Sequence, residues 1–427
     1  MDRQDGDFRV VIVGGGIAGL ATAIALRGPG RSVTVLERSR MLRETGALIS
    51  LQPNASKIIT RWGLDPFLAA AEPQIDRGFR LYDVAGNLVR EVPLRTDQFG
   101  ADRVLYHRQD LHSALRSAAV SQDRPGAPAD IRTACDVVRC DPDAATVTLA
   151  SGEVLQGDLV IGADGIKSTV RAAVLGETRQ AIPTGISAYR ILIPTQSIQG
   201  IEGVPDGVKT PEPATTTMVI GNDKRVIMGP GRGGKLFGIV ALVPDEQMAE
   251  ESRDDSWVKP GSKAKLLEAF ADFPAWLRAI FDSAPEDGIG LWQLRDLDPL
   301  PTWIRRRTII IGDAAHAMLP TQGQGASQSI EDAEALQAFL DDMNIRGREG
   351  RGGAQRALEK VFEARYERVS LIQSYSRQQA KPGAEKGSNR VSLDPGQFLK
   401  YNCEYEGAVA WLRSGTRRET TSSEVAA

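Results

Sequence analysis

The feature that most restricts this chain lies at its start. Residues 8–13 (FRVVIV) are a short β-branched run ending at Gly14, and residues 17–27 then place Ile17, Leu20, Ile24 and Leu26 at helical spacing. The first pattern reads as a buried strand and the second as a helix with one buried face. Gly28-Pro29-Gly30 stops the helix, and residues 32–37 (SVTVLE) form a second strand. Strand, helix and strand in this order make a βαβ unit with a right-handed crossover. The joining turn reads Gly14-x-Gly16-x-x-Gly19. Its glycines permit a tight turn and close backbone approach, and the N–H groups that open the helix face any anion placed there. Glu37 ends the second strand 18 residues beyond Gly19, the spacing of an acid that accepts from ribose hydroxyls. These features predict a dinucleotide site built from Gly14, Gly16, Ile17, Ala18, Gly19, Glu37 and the adjoining Arg38. The alternative is a packing turn with Glu37 merely exposed.

Further apolar strands at 158–161 and 308–311 run into Gly162-Ala163-Asp164-Gly165 and Gly312-Asp313. A helix is predicted over 324–340, with Ile330, Ala333, Leu336 and Phe339 on one face. Between 182 and 293 the texture changes to short alternating runs at 189–194, 217–220, 225–228 and 236–243. That pattern predicts a mostly antiparallel sheet laid against the nucleotide domain. A second glycine triplet, Gly229, Gly231 and Gly234, lies between two of these strands. With no helix behind it, it reads as a hairpin turn. The expected architecture is α/β: a Rossmann-like domain from 1–75, 101–180 and 295–345, and an α+β second domain with a mixed, mostly antiparallel sheet from 76–100 and 181–294. A C-terminal helical segment at 346–411 follows, with a flexible loop at 346–353 before a helix at 355–378. Composition predicts a disordered tail at 412–427.

The bulk chemistry excludes several classes. A net charge of −3 over 427 residues gives no electrostatic case for nucleic acid or an anionic membrane. Three cysteines and three histidines, without ligand spacing, argue against a disulfide framework or a metal site. No apolar run reaches the roughly 18 residues a membrane span needs. The opening MDRQDGDF is polar and acidic, unlike a signal peptide, and a cytoplasmic location is expected.

Three separated motifs carry a family resemblance: the glycine turn with Glu37, DLVIGADGIKSTVR at 158–171, and IIIGDAAHAMLPTQGQGA at 309–326. In order and spacing the chain resembles the single-component FAD-dependent aromatic hydroxylases, which include salicylate and para-hydroxybenzoate hydroxylases. Through GALISLQPNASKI at 46–58 and YHRQDLHSAL at 106–115 it is most similar to fungal salicylate-hydroxylase-like sequences, and the resemblance extends to about residue 411. It implies FAD as cofactor, with NADPH or NADH as a transient reductant at the same site. The implied activity is monooxygenation. The reduced flavin takes up O2 as a hydroperoxide and hydroxylates or epoxidises an electron-rich aromatic, phenolic or indolic small molecule. Alternatives on the same scaffold are a flavin oxidase or reductase without oxygen insertion, and a non-catalytic binding protein. The expected assembly is a monomer or homodimer, without nucleic acid or a membrane span.

The resemblance also implies residue roles. Asp313 would accept from ribityl hydroxyls, or else cap a helix. Gly323, Gln324, Gly325 and Ala326 would bring N–H groups to the flavin's pyrimidine edge and stabilise its reduced anion. Asp164 and Gly165 would serve both FAD and the nicotinamide cofactor, unless Asp164 only caps the turn before Ser168. Arg108 would contact the flavin, or be a surface cation at a helix start, and Ala47 would lie in a loop beside it. Tyr189 and Arg190 would face substrate, with Arg190 holding a phenolate or carboxylate unless it faces solvent. His316 reads as structural, and His107 and His112 as structural or exposed. The chain departs from many relatives at Gly229-Pro230, where Tyr-Pro is frequent, which implies a wider or differently lined pocket.

Overall fold

A computed structural model describes residues 7–40, 47–210, 212–245, 258–341, 348–380 and 391–414. The strand Phe8–Val13 pairs in parallel with Arg31–Leu36 on one side and Leu159–Gly162 on the other. Among the described residues the sheet has six strands, continuing through Thr308–Ile310 to Ile304–Arg305 at one edge and ending at Asp130–Arg132 at the other. Its central strands are mostly apolar and buried because helices cover both faces, as parallel sheets require. The helix Ile17–Leu26 packs against both Gly325–Asp341 and Arg108–Val120. Its small residues Ala21, Ala23 and Ala25 are fully buried, which permits that close packing.

A second sheet has eight strands among the described residues: Val258–Pro260, Ile289–Asp296, Ile182–Pro194, Leu236–Pro244, Arg225–Gly231, Thr216–Ile220, Gly78–Tyr82 and Leu88–Pro93. Its pairs are antiparallel except Gly78–Tyr82 with Thr216–Ile220, so it is mixed and mostly antiparallel, as expected. The strand period of two divides its side chains. Tyr189, Ile191 and Ile193 pack beneath Leu266, Trp276, Leu277 and Phe281, from the helices Lys263–Ala269 and Ala275–Asp282. Ala188 and Leu242 face the other way and meet Leu319. Tyr189 is therefore a core residue, 1% exposed. The alternation that turns Arg190 to one face turns Tyr189 to the opposite one, which corrects the expectation that both face substrate.

The second glycine triplet closes a hairpin. Gly231 pairs with Leu236, and Arg232, Gly233 and Gly234 between them all have positive φ. The helix expected from 355 runs as Arg348–Ala380. Residues 348–353 are thus helical rather than loop, while 346 and 347 lie outside the described residues. Burial of Ala354, Ala357, Leu358 and Val361 in the main core supplies the reason, because tertiary packing overrides the poor helix propensity of the glycines. Of the expected tail, Leu412 and Arg413 complete the helix Ala408–Arg413, and 415–427 lie outside the described residues. Among the described residues, no helix is long and apolar enough to cross a membrane.

Candidate functional site

Gly14 has φ +104°, and a Cβ there would stand 2.2 Å from the carbonyl oxygen of Ala163. A Cβ on Gly19 would stand 1.9 Å from the carbonyl oxygen of Gly14. The turn therefore fits tightly against both its own helix and the neighbouring strand end. Gly16 differs, since a Cβ there would meet no protein atom within 4 Å. Ile17 is buried and Ala18 half-buried as the helix begins. The half-buried Glu37 carboxylate accepts from the N–H groups of Gly15 and Ser39, each at 2.7 Å, which fixes its orientation and leaves lone pairs for further donors. Arg38 beside it is exposed. His112, from the helix Arg108–Val120, places Nε2 2.8 Å from the carbonyl oxygen of Gly15. That brace was not legible in sequence, because nothing local links the two positions.

The other motifs converge on the same groove. Gly312 has φ +56°, and a Cβ there would lie 2.9 Å from Ala18 Cβ and 3.0 Å from Ser329 Oγ. The strand end, the first helix and the helix Gly325–Asp341 thus meet at one point. Asp313 begins the short helix Asp313–His316 and is exposed. Gly323 approaches Ser50, and a Cβ on Gly325 would meet nothing within 4 Å. Gln324 is buried, and Ala326 half-buried. The Ala47 carbonyl accepts from the Arg108 N–H at 2.8 Å, because Leu48–Leu51 pairs antiparallel with Val104–His107. Leu48 then reaches the second sheet, where Cβ atoms on Gly231 and Gly238 would each come within 2.4 Å of it.

Asp164 is engaged locally. Its carboxylate accepts from Ser168 Oγ at 2.5 Å and from the N–H groups of Thr169 and Val170 at 2.8 and 3.0 Å. It serves the start of the helix Thr169–Leu175, the alternative noted above. Burial pushes its pKa up, against the opposing pull of these bonds. Gly165 beside it has φ +73° and a Cβ there would meet nothing within 4 Å. The buried Arg171 donates to the carbonyls of Ile166 at 2.6 Å and Ala314 at 3.1 Å, tying the two motifs together.

Arg190 lies on the sheet face turned toward this groove, with Cζ 4.9 Å from the centre of the Trp292 ring. Its Nε is buried without a hydrogen-bond partner. Burial, and secondly the charge of Arg108, hold its pKa below the ordinary arginine value. Ile227 and Val240 add apolar surface beside Leu319. Gly229 stands opposite Gly238, so neither strand carries a side chain at that pair. Arg232 of the hairpin forms a two-pronged bond to Asp110, both at 2.7 Å, and approaches His107 Nδ1 at 2.9 Å. This latch joins the second sheet to the helix that Arg108 begins.

Beneath the groove lies a cluster of four fully buried charges, Glu331, Asp332, Arg365 and Arg368. Arg365 binds both acids, through Glu331 Oε2 and, at 2.9 Å, Asp332 Oδ1, while Arg368 grips Glu331 at 2.8 Å with two nitrogens. Burial alone would raise both carboxyls. The arginines hold Glu331 below its ordinary value, and His316 with Arg365 holds Asp332 at about 2. His316 Nε2 donates to Asp332 Oδ2 across 2.7 Å, since an ionised carboxylate only accepts, and His316 is 3% exposed. The adjacent acids and the two arginines three residues apart lie on helices that carry many other polar and charged residues, so nothing marked them out. Nothing in sequence paired them.

A model of the FAD binding domain matches residues 7–354. The chain belongs to the FAD binding domain family. FAD is its cofactor, and it is an FAD-dependent oxidoreductase. Members of the family similar to it include hispidin-3-hydroxylase of Neonothopanus nambi, 31% identical over 80% of this chain and 82% of that protein. The FAD-dependent monooxygenase cfoG of Aspergillus candidus is 32% identical over 86% of this chain and 84% of its own. A salicylate hydroxylase substrate complex superposes with a TM-score of 0.76 at 27% identity, covering 96% of this chain and 98% of that one. The groove suits the family's cofactor: two helix N-termini open onto it at Gly16 and Gly325, where a side chain would meet no protein atom within 4 Å. Each N-terminus favours a nearby anion by about 0.3–1 kcal/mol.

Proposed function

We propose that the protein is an FAD-dependent monooxygenase that uses NAD(P)H and O2 to place one oxygen atom on an electron-rich aromatic small molecule carrying an acidic group. The observation that carries this reading is Arg190, a half-buried guanidinium whose buried Nε has no partner, stacked on Trp292 and beside Arg108. A partly desolvated cation next to a second cation favours an anionic partner. A phenolate or carboxylate meets that need, and ionisation makes an aromatic ring richer in electrons. Bound FAD would take electrons from NAD(P)H and activate O2.

The chain's own residues would do the rest. Glu37 would accept from the adenosine ribose, and Asp313 from the ribityl chain. The N–H groups at Gly16 to Gly19 would face the pyrophosphate, and those at Gly325 and Ala326 the flavin's pyrimidine edge. Ala47 and Arg108 would flank the flavin. Ile227, Val240 and Leu319 would exclude water above it, and the bare Gly229–Gly238 pair leaves room for a broad, flat ring system. The relatives' names, a hispidin hydroxylase and a salicylate hydroxylase, support an acidic aromatic substrate.

The test is NAD(P)H oxidation against a panel of phenols and aromatic acids, with product mass measured. Arg190→Ala should retain FAD and lower kcat/KM for anionic substrates by about 2–3 kcal/mol in transition-state terms, the worth of a lost charge-assisted bond. Unchanged turnover would remove Arg190 from the site. Peroxide formed in step with NAD(P)H consumed, with no oxygenated product from any substrate, would favour an oxidase instead.

A further inference from the structure

Two side-chain amides, those of Gln328 and Asn54, connect the buried charge cluster to a third on Gln324, the residue that precedes Gly325. Gln328 Oε1 lies 2.6 Å from Arg365 Nη2, and Gln328 Nε2 lies 3.0 Å from Gln324 Oε1. Asn54 Nδ2 lies 2.6 Å from Glu331 Oε1 and 3.2 Å from Gln324 Oε1. All three amides are buried.

The charged ends dictate how each amide must point. A guanidinium only donates, so Gln328 presents its oxygen to Arg365. Its NH2 group is then committed to Gln324 and, at 3.2 Å, to Glu331. Ionised Glu331 only accepts, so Asn54 presents its NH2 as well. With two NH2 groups facing it, Gln324 presents its oxygen and turns its own NH2 away from the cluster. A buried orphan confirms the forced orientation: Asn54 Oδ1 has no hydrogen-bond partner. Flipping Asn54 would relieve that atom only by setting an oxygen against the Glu331 carboxylate. From Arg365 outward, the dipoles of Gln328 and Gln324 run head to tail, each with its NH2 end pointing away from the guanidinium, and Gln324 directly precedes the helix Gly325–Asp341.

We propose that Gln328 and Asn54 are positioning residues that orient Gln324 and carry the field of the buried arginine to this helix N-terminus, so that the bound cofactor is held more tightly in its reduced, anionic form. The inference rests on the reading that Gly325 and Ala326 face the pyrimidine edge of FAD. Low local dielectric makes such aligned chains more effective than their separate bonds.

The test uses the full chain with Gln328→Met, Asn54→Ala and Ala326→Pro, followed by melting temperature, affinity for oxidised FAD, and anaerobic midpoint potential of the bound flavin. Gln328→Met should keep oxidised-FAD affinity within about threefold while lowering the reduced-over-oxidised affinity ratio about tenfold, a potential about 30 mV more negative for a two-electron couple. Asn54→Ala should shift the ratio in the same direction and provides the readout should Gln328→Met not fold. A lower melting temperature with unmoved potential in the folded variants would make the relay merely structural and overturn the proposal. Ala326→Pro removes one N–H at a helical position that tolerates proline. If it changes neither affinity nor potential, the orientation of FAD itself is wrong, and the proposal falls with it. If it changes them while the amide variants do not, the site reading stands and the relay alone fails.

Discussion

Two helix starts open onto the cofactor groove, and they are held in opposite ways. Ile17–Leu26 begins at a turn whose constraints are mostly local: Gly14 and Gly19 are five positions apart and touch each other. Gly325–Asp341 begins above a charge cluster whose arginines lie 34 and 37 residues from Glu331, with Asn54 277 residues away. The first start depends on the absence of side chains, the second on buried, mutually paired polar ones. A turn without side chains has little that can be left unpaired. A buried cluster is stable only when complete, because removing one member strands another's charge.

This difference should appear first in stability. Arg368→Met leaves Glu331 short of two bonds and should cost about 3–5 kcal/mol, read from urea unfolding. A loss under about 1 kcal/mol would show that the cluster is not the anchor it looks to be. At the other helix, Gly19→Ala forces a Cβ into the Gly14 carbonyl and should cost about 1–3 kcal/mol by overpacking. FAD retention on desalting should fall with it, and retention at the unmodified level would contradict the tight fit of the turn. Glu37→Ala should weaken FAD binding by about 1.5–3 kcal/mol, read by titrating FAD into the apoprotein, and an unchanged affinity would remove Glu37 from the cofactor site.

Acid sharpens the same contrast. Asp332 is held at about 2 against an ordinary 3.8. Its folded value is depressed, so its contribution is fully present above the unfolded value and is lost as pH falls from about 4 toward 2. Urea midpoints taken down that range should fall in the unmodified chain and fall less steeply in Asp332→Asn. Parallel slopes would place the acid sensitivity elsewhere. The smallest effect belongs to the latch between the two sheets' domains. Arg232 and Asp110 are partly exposed, at 36% and 22%, so Arg232→Gln should cost only about 0.2–1 kcal/mol. Its better readout is a change in KM, since the latch neighbours Arg108.

The first helix start was legible because its requirements are written in consecutive residues. Gly14, Gly19 and the strand that leads into Glu37 follow from spacing and backbone sterics, and the central strands were recognisable by their β-branched runs. The second glycine triplet could be set aside for the same local reason, since strands flank it. Asp313, Gly323 and Gly325 were reachable through a motif, although what surrounds each of them was not. The loop expected at 346–353 failed over 348–353 because glycine and arginine content describes propensity, while burial of Ala354, Ala357, Leu358 and Val361 in the core decides the outcome. Tyr189 failed for a subtler reason. A strand's alternation shows that neighbours face apart, but not which face meets the cofactor.

By itself, then, the sequence determined the βαβ unit, the tight glycine turn, the mixed second sheet and the family, because each rests on interactions between near neighbours or on periodic patterns. Only the tertiary structure decided that Arg190 faces the groove while Tyr189 does not, that Asp164 is engaged at a helix start, that His112 braces Gly15, and that Glu331, Asp332, Arg365 and Arg368 meet out of water. Those outcomes depend on which distant charges and faces are brought together. A charged residue reads the same in sequence whether it ends in solvent or in a buried pair, and only the packing that removes water tells the two apart.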